Sequence, residues 1–221
     1  MTADTADPVV LLLAAGRGER MGDDKPLIHV GGVPMVERTL AAYREAKRVR
    51  DILLVVAGGR AADYAPYRRV DVHVLENPDP GRGMISSIRT ALSSSWALER
   101  HFLIAPVDVP FVKPELVDQL VMTFTTRDCK IVLPAYRGLG GHPGLYHASL
   151  RDEFFLHGDI AGAREILMRH QSATVRLNVP DPDVCFDIDT PQTLEIAMDA
   201  GARWAAVEEA AERKRQQRFG V

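Results

Sequence analysis

Cysteine is scarce in this chain. Only Cys129 and Cys185 occur among 221 residues, far apart and without Cys-x-x-Cys spacing, which excludes a disulfide framework and a cysteine-built zinc site. Both are expected to be small core residues. No apolar run approaches the ~20 residues that span a bilayer, so no membrane partner is expected. Residues 1–7, Met-Thr-Ala-Asp-Thr-Ala-Asp, lack the basic start and apolar stretch of a secretory signal. They read as a disordered lead-in to one domain over 8–221, with a cytoplasmic location expected. Neither sign of charge dominates, with 27 Lys and Arg against 30 Asp and Glu and a net charge of -3. Such a balance gives no general attraction to nucleic acid, and no nucleic-acid partner is expected. The local basic run Arg213, Lys214, Arg215 and Arg218 reads as compensation for the negative end of a last helix. Hydrophobic content of 46% with 26% charged residues is ordinary for a soluble globular protein.

What is present is a regular alternation. Val9 to Leu13 is apolar throughout, as in a parallel strand covered on both faces. Val36, Leu40 and Tyr43 then recur at helical spacing, and Ile52 to Ala57 forms a second strand, completing a βαβ unit. Strands are expected at Val70 to Leu75, His101 to Ala105, Lys130 to Pro134 and about Thr174 to Leu177, with a hairpin around Gly138 to Tyr146. Helices are expected around Met84 to Leu92, from Pro114 to Thr125, and near Ile160 to His170. A further helix opens at Thr190-Pro191, where threonine caps and proline fits the first turn; Trp204 and Val207 suggest that it stays amphipathic toward the C-terminus. Alternation of this kind predicts a Rossmann-like α/β fold, three layers deep, with a mostly parallel mixed sheet. Ligands of such sheets bind beyond the carboxyl ends of the strands, which sets residues 16–25 opposite Asp108.

Residues 11–25, Leu-Leu-Leu-Ala-Ala-Gly-Arg-Gly-Glu-Arg-Met-Gly-Asp-Asp-Lys, run from the first strand into a glycine loop. Glycines at 16, 18 and 22 let backbone N–H groups approach phosphate oxygens, and Arg17, Arg20 and Lys25 add positive charge. Neither common phosphate motif fits. The third glycine falls one residue late for a dinucleotide fingerprint, and Lys25 follows Asp24 and precedes Pro26, unlike a P-loop lysine.

Acidic residues recur at two strand ends. Asp108 follows an apolar strand between Pro106 and Pro110, each of which disfavours helix in the residue before it. A lone, held carboxylate suits magnesium carried in by a nucleotide; a turn aspartate bonding its own backbone is the alternative. In Asp187-Ile188-Asp189-Thr190-Pro191, extended alternation puts Asp187 and Asp189 on one side, both able to face one metal. Compensation of a helix N-terminus is the alternative for Asp189.

The first loop, at Leu13, Ala14, Ala15, Gly16, Gly18, Arg20, Met21, Gly22 and Lys25, resembles the nucleotidyltransferase signature Leu-Ala-Ala-Gly-x-Ser/Gly-x-Arg-Met-Gly-x-x-Lys. Asp187 to Pro191 is similar to the Asp-x-Asp-Thr-Pro motif of the same superfamily. Gly83 to Ile88, Gly141-His142-Pro143 and Gly158 to Arg164 look like motifs of the molybdenum cofactor cytidylyltransferases and their close relatives. The resemblance runs from about Val9 to Leu194. Gly18 stands where serine is common and Val109 where methionine is common; neither change removes a charge or a ligand.

That resemblance implies the fold of the nucleotide-diphospho-sugar transferases and transfer of CMP from Mg2+-CTP to the terminal phosphate of molybdopterin, with release of pyrophosphate. The backbone from Leu13 through Ala14, Ala15, Gly16, Arg17 and Gly18 would cradle the nucleotide, and Arg20 and Lys25 would stabilise the leaving group. Asn77, Ser86 and Ser87 would fix the nucleoside. Asp108 with Asp187 or Asp189, or both, would hold Mg2+. His142, Asp159 and Arg164 would meet the acceptor, although Ser86 or Ser87 also fits helix capping, His142 a turn, and Asp159 with Arg164 a simple ion pair. CTP is favoured over GTP because Ala15 adds a methyl where the related guanylyltransferases carry glycine. GTP as donor, another phosphorylated acceptor, and a non-catalytic cofactor carrier remain as alternatives, with a molybdoenzyme as onward partner.

Overall fold

The computed structural model describes residues 7–16, 21, 25–156 and 162–219. Strand β1 (Val9–Leu13) is apolar at every position because both of its faces are covered. Val10, Leu12 and Ala14 enter one core and Val9, Leu11, Leu13 and Ala15 the other, as the two-residue period of a strand requires. A small hairpin of β2 (His29–Val30) and β3 (Val33–Pro34) leads into α1 (Met35–Glu45). Its turn is Gly31-Gly32, both at positive φ, where glycine carries no steric cost. Then come β4 (Asp51–Ala57), β5 (Val72–Asn77), α2 (Met84–Leu92), β6 (Phe102–Pro106) and α3 (Pro114–Thr126). The remainder is β7 (Ile131–Tyr136), β8 (Leu139–Gly140), β9 (Gly144–Tyr146), α4 (Glu153–Leu156), α5 (Gly162–Arg169), β10 (Thr174–Asn178), α6 (Pro191–Glu195) and α7 (Ala200–Phe219).

Seven strands lie in the order β10-β7-β9-β6-β1-β4-β5, and β8 pairs with β7. Pairs β1–β4, β1–β6, β4–β5 and β7–β10 are parallel, whereas β9 runs antiparallel between β6 and β7. Side chains of α1, α3 and α7 pack on one face, while those of α2, α4 and α5 pack on the other. The result is the three-layer α/β/α fold with a mixed, mostly parallel sheet that the alternation predicts.

Several local expectations differ. Val70 does not open β5 but is 94% exposed, because Arg69 and Val72 bridge across a tight turn just before the strand. The segment 138–146 is not a hairpin closed on itself. β8 turns back on β7 through Arg137-Gly138, and β9 leaves it to fill the gap between β6 and β7. The last helix is two: α6 ends at Glu195 and α7 starts at Ala200. On α7 the buried stripe is Arg203, Val207 and Ala211, so Trp204 faces outward. Arg213 and Arg215 pair within α7, with Glu209 and Glu212. Cys129 and Cys185 are half-buried rather than core residues. Among the described residues no helix is long and apolar enough to cross a membrane.

Candidate active site

The carboxyl ends of β1 and β6 are neighbours, since Leu13 pairs with Pro106. The Val107 N–H extends the ladder by donating to the Leu13 carbonyl at 3.1 Å. Beyond these ends the chain on one strand becomes Ala14-Ala15-Gly16 and on the other Val107-Asp108. Thr39, fully buried on α1, bonds the Val107 carbonyl at 2.9 Å and steadies this end of β6. A cleft of about 540 Å³ opens here. Leu13, Ala15 and Gly16 form one part of its lining, and Pro80, Gly81, Gly83, Met84 and Ser87 another. Among the described residues, Lys25, Asp108 and Asp189 are its charged lining. This is the position expected for a ligand at the strand ends of an open α/β sheet.

Lys25 is 8% exposed. Its ammonium donates to Asp108 Oδ2 at 2.8 Å and also to Asp189 Oδ1. Burial alone would push its pKa down, but attraction and hydrogen bonding from Asp108 and Asp189 outweigh it and hold the ammonium above the usual lysine value. For Asp189, burial works upward and loses to the hydrogen bonds and charge of Lys25, leaving the carboxyl below its usual range. Ile188 is fully buried between two acidic neighbours, so Asp187 and Asp189 fall on the same side, as strand alternation predicts. Asp187 shares a hydrogen bond with Asp189; desolvation, that bond, and repulsion by Asp189 and Asp108 push its carboxyl up to about 6.

The carboxylates form no ready-made metal cage: among the described residues no group of three or more His, Cys, Asp or Glu is close enough to hold an ion. Two of them nevertheless converge on a single cation, the Lys25 ammonium. A hard-oxygen donor set of that kind fits a magnesium ion that arrives with phosphates.

The remaining candidates take up distinct positions. Asn77 ends β5, almost fully buried, and its amide holds the hydroxyls of Ser86 and Ser87. Of these three only Ser87 lines the cleft. His142 is not in an open loop, as its glycine and proline neighbours suggest. Its N–H donates to the Val184 carbonyl at 2.8 Å, and Gly141 lies so close to Val184 that a Cβ there would meet the carbonyl oxygen at 2.5 Å. Burial lowers the His142 pKa, against a smaller upward pull from Asp108. Arg164 is exposed on α5. Arg17, Gly18, Arg20 and Asp159 lie outside the described residues.

Sequence reasoning missed one supporting arrangement. Arg203, 7% exposed on α7, makes a two-pronged ion pair with Asp183, both contacts at 2.9 Å, and stacks 3.9 Å from the Phe111 ring centre. It thereby ties the segment before Asp187 to the segment after Asp108. The available signal was an arginine on the apolar i, i+4, i+8 stripe of a helix, where a charge requires a partner.

Fold and site together define the nucleotidyltransferase class. Residues 10–174 match the model of the MobA-like NTP transferase domain, and the chain belongs to that family. It is similar to a molybdenum cofactor guanylyltransferase of Rhizobium meliloti (strain 1021), 28% identical over 86% of this chain and 90% of that protein. It is also similar to one of Pseudomonas fluorescens (strain Pf0-1), 32% identical over 54% of this chain and 58% of that protein. The chain spans 23% and 58% of the length of the first two curated relatives that it matches. Among solved structures, Rv0371c from Mycobacterium tuberculosis H37Rv superposes with a TM-score of 0.71 at 21% identity, over 89% of this chain and all of that one, a likeness of fold.

Proposed function

We propose that the protein transfers a nucleoside monophosphate from a nucleoside triphosphate to the terminal phosphate of molybdopterin or its molybdenum-loaded form, releasing pyrophosphate. The observation that carries this reading is the buried Lys25 ammonium held between Asp108 and Asp189 at the joined ends of β1 and β6. An oxygen of the acceptor phosphate attacks the α-phosphorus, and the bond from that phosphorus to the β-phosphate oxygen breaks. A phosphate oxygen is already charged at neutral pH, so no general base is required; the task is alignment and charge neutralisation. The backbone from Leu13 to Gly18 cradles the phosphates, and Lys25, with Arg20, meets charge developing on the leaving pyrophosphate. Asp108 and Asp189, with Asp187 beside them, would hold Mg2+, which when bound neutralises phosphate charge. Ser87 faces the nucleoside, and His142 with Asp159 and Arg164 belongs to the acceptor side.

Guanine is the base better supported, because the molybdenum cofactor relatives that cover most of their length with this chain are guanylyltransferases. Cytosine, expected from the sequence, is the second reading. Ala15 favours it, since its methyl forms part of the cleft lining where a purine needs more room.

The test is pyrophosphate release from GTP, CTP, ATP and UTP with Mg2+ and molybdopterin, using Asp108→Ala as the blank. Release with GTP alone supports the first reading, and release with CTP alone the second. Silence with all four, despite nucleotide binding, makes the acceptor wrong or the protein a carrier.

A further inference from the structure

The family resemblance implies a nucleoside contact for Asn77, but every polar group of its side chain is engaged within the protein. It is 1% exposed and is absent from the cleft lining. Its Nδ2 donates to Ser86 Oγ at 2.8 Å and Ser87 Oγ at 3.0 Å, and its Oδ1 accepts from the Asp79 N–H at 3.0 Å. An amide nitrogen only donates, so both hydroxyl oxygens receive there, and each serine has one O–H left to give. Ser86 gives its own to the Gly83 carbonyl at 2.8 Å. Ser87, 4% exposed and in the cleft wall, finds no acceptor among the described residues. One lone pair of that oxygen receives from Asn77 and one stays open, but its hydrogen has no acceptor among the described residues, and a buried O–H left without one is costly.

We infer that Asn77 is a positioning residue. By taking one lone pair of Ser87 Oγ it leaves the O–H to serve the cleft, so Ser87 donates to the nucleoside, and the atom of the nucleotide that it meets is an acceptor: a base carbonyl or ring nitrogen, or a ribose oxygen. This inference rests on the nucleotide reading of the cleft. It makes the polarity of one nucleoside contact a property of a residue that never touches the nucleotide.

The deciding variant is Asn77→Asp, measured at pH 8. The carboxylate keeps the Asp79 N–H bond and can only accept, so the Ser87 hydrogen turns toward it and lone pairs face the cleft instead. Three donors around the carboxylate favour its ionised form. Binding of GTP, CTP, ATP, UTP and the 2′-deoxy forms is followed by titration calorimetry, without acceptor. Asn77→Asp and Ser87→Ala are each expected to weaken the preferred nucleotide at least tenfold, while Ser86→Ala is not. The double variant should be no weaker than Ser87→Ala alone, because both act through one hydroxyl. Loss of base preference assigns the contact to the base, and loss of ribose discrimination assigns it to the sugar. In turnover, KM for the nucleotide rises while kcat stays within about threefold, a split that general destabilisation does not produce. Should Asn77→Asp fail to fold, the Ser87→Ala and Ser86→Ala pair decides. Equal binding by wild type and Asn77→Asp, additive losses, or equal effects of the two serines would overturn the inference and leave the nucleotide reading standing. A wild-type protein that binds no nucleotide overturns both.

Discussion

The Ile188 N–H donates to the Asp108 carbonyl at 2.8 Å. This single backbone bond joins the two acidic loops, so the carboxylates on either side of Ile188 hold their distance from Asp108 through the main chain. Side chains that share a cation are thus set on a rigid frame before any ligand arrives, which is what alignment-based catalysis requires.

Lys25 is the first residue to test in that frame. In Lys25→Met the ammonium is lost and two carboxylates face each other without it. Turnover should fall about 10²-fold, in the range for removal of a group that stabilises transition-state charge. Nucleotide affinity should change less than about fivefold, because the contact with the leaving group tightens as charge develops. Steady-state kinetics together with equilibrium binding checks this; equal losses in both would remove Lys25 from that role.

The two C-terminal carboxylates should not be equivalent. Asp189 shares the Lys25 ammonium with Asp108, whereas Asp187 is bonded to Asp189. Asp189→Asn is therefore expected to weaken Mn2+ binding, read by electron spin resonance, at least tenfold, and Asp187→Asn distinctly less. The reverse order would make Asp187 the principal ligand.

Arg203 should matter to stability. Replacing it with methionine leaves the Asp183 carboxylate buried without its partner, a change that costs about 3–5 kcal/mol. Urea unfolding measures it. Arg203→Met with Asp183→Leu removes both charges and should recover much of the loss; no recovery would mean that stacking on Phe111, not the ion pair, carries the effect.

Acid sensitivity should trace in part to His101. Its Nδ1 accepts from the Ala148 N–H at 3.1 Å, and burial first, then the neighbouring His147, lower its pKa to about 4. The unfolded chain binds a proton near the ordinary histidine value of ~6.5, while the folded one resists it down to about 4. Stability from this group is therefore complete above the unfolded value and is lost as pH falls from there toward 4. In His101→Gln the decline in unfolding free energy between pH 7.5 and 5 should be shallower than in wild type. An unchanged slope would exclude His101 as a source.

Much of this architecture was legible in the chain. The apolar run at Val9 to Leu13, the helical spacing of Val36, Leu40 and Tyr43, and the alternation that follows specify three layers because each pattern reports which faces are covered. The placement of Asp108 beyond a strand end was legible for the same reason, and alternation set Asp187 and Asp189 on one side. What sequence did not reveal depends on partners far along the chain. Val70 is apolar but lies outside its strand because a bridge forms just ahead of it. β9 fills a gap that only the assembled sheet defines. Asn77 was expected at the nucleoside from the family resemblance alone; that it is buried and bonded to Ser86 and Ser87 depends on neighbours that only the folded chain brings together. Of the two residues that marked the last helix as amphipathic, Val207 is buried and Trp204 faces outward, because Arg203, a charged residue, takes the core position beside it.

The ion pair of Lys25 with Asp189 joins residues 164 positions apart. The cost of closing a loop grows only slowly with its length, so what the separation fixes is the order in which the partners are made. During synthesis the first strand, the glycine segment and Asp108 all leave the ribosome well before the second acidic loop exists. Until it docks, Lys25 and Asp108 have each other but lack the third member of the cluster. A chain that stops short of Asp189 therefore cannot assemble the charge arrangement on which the proposed transfer depends.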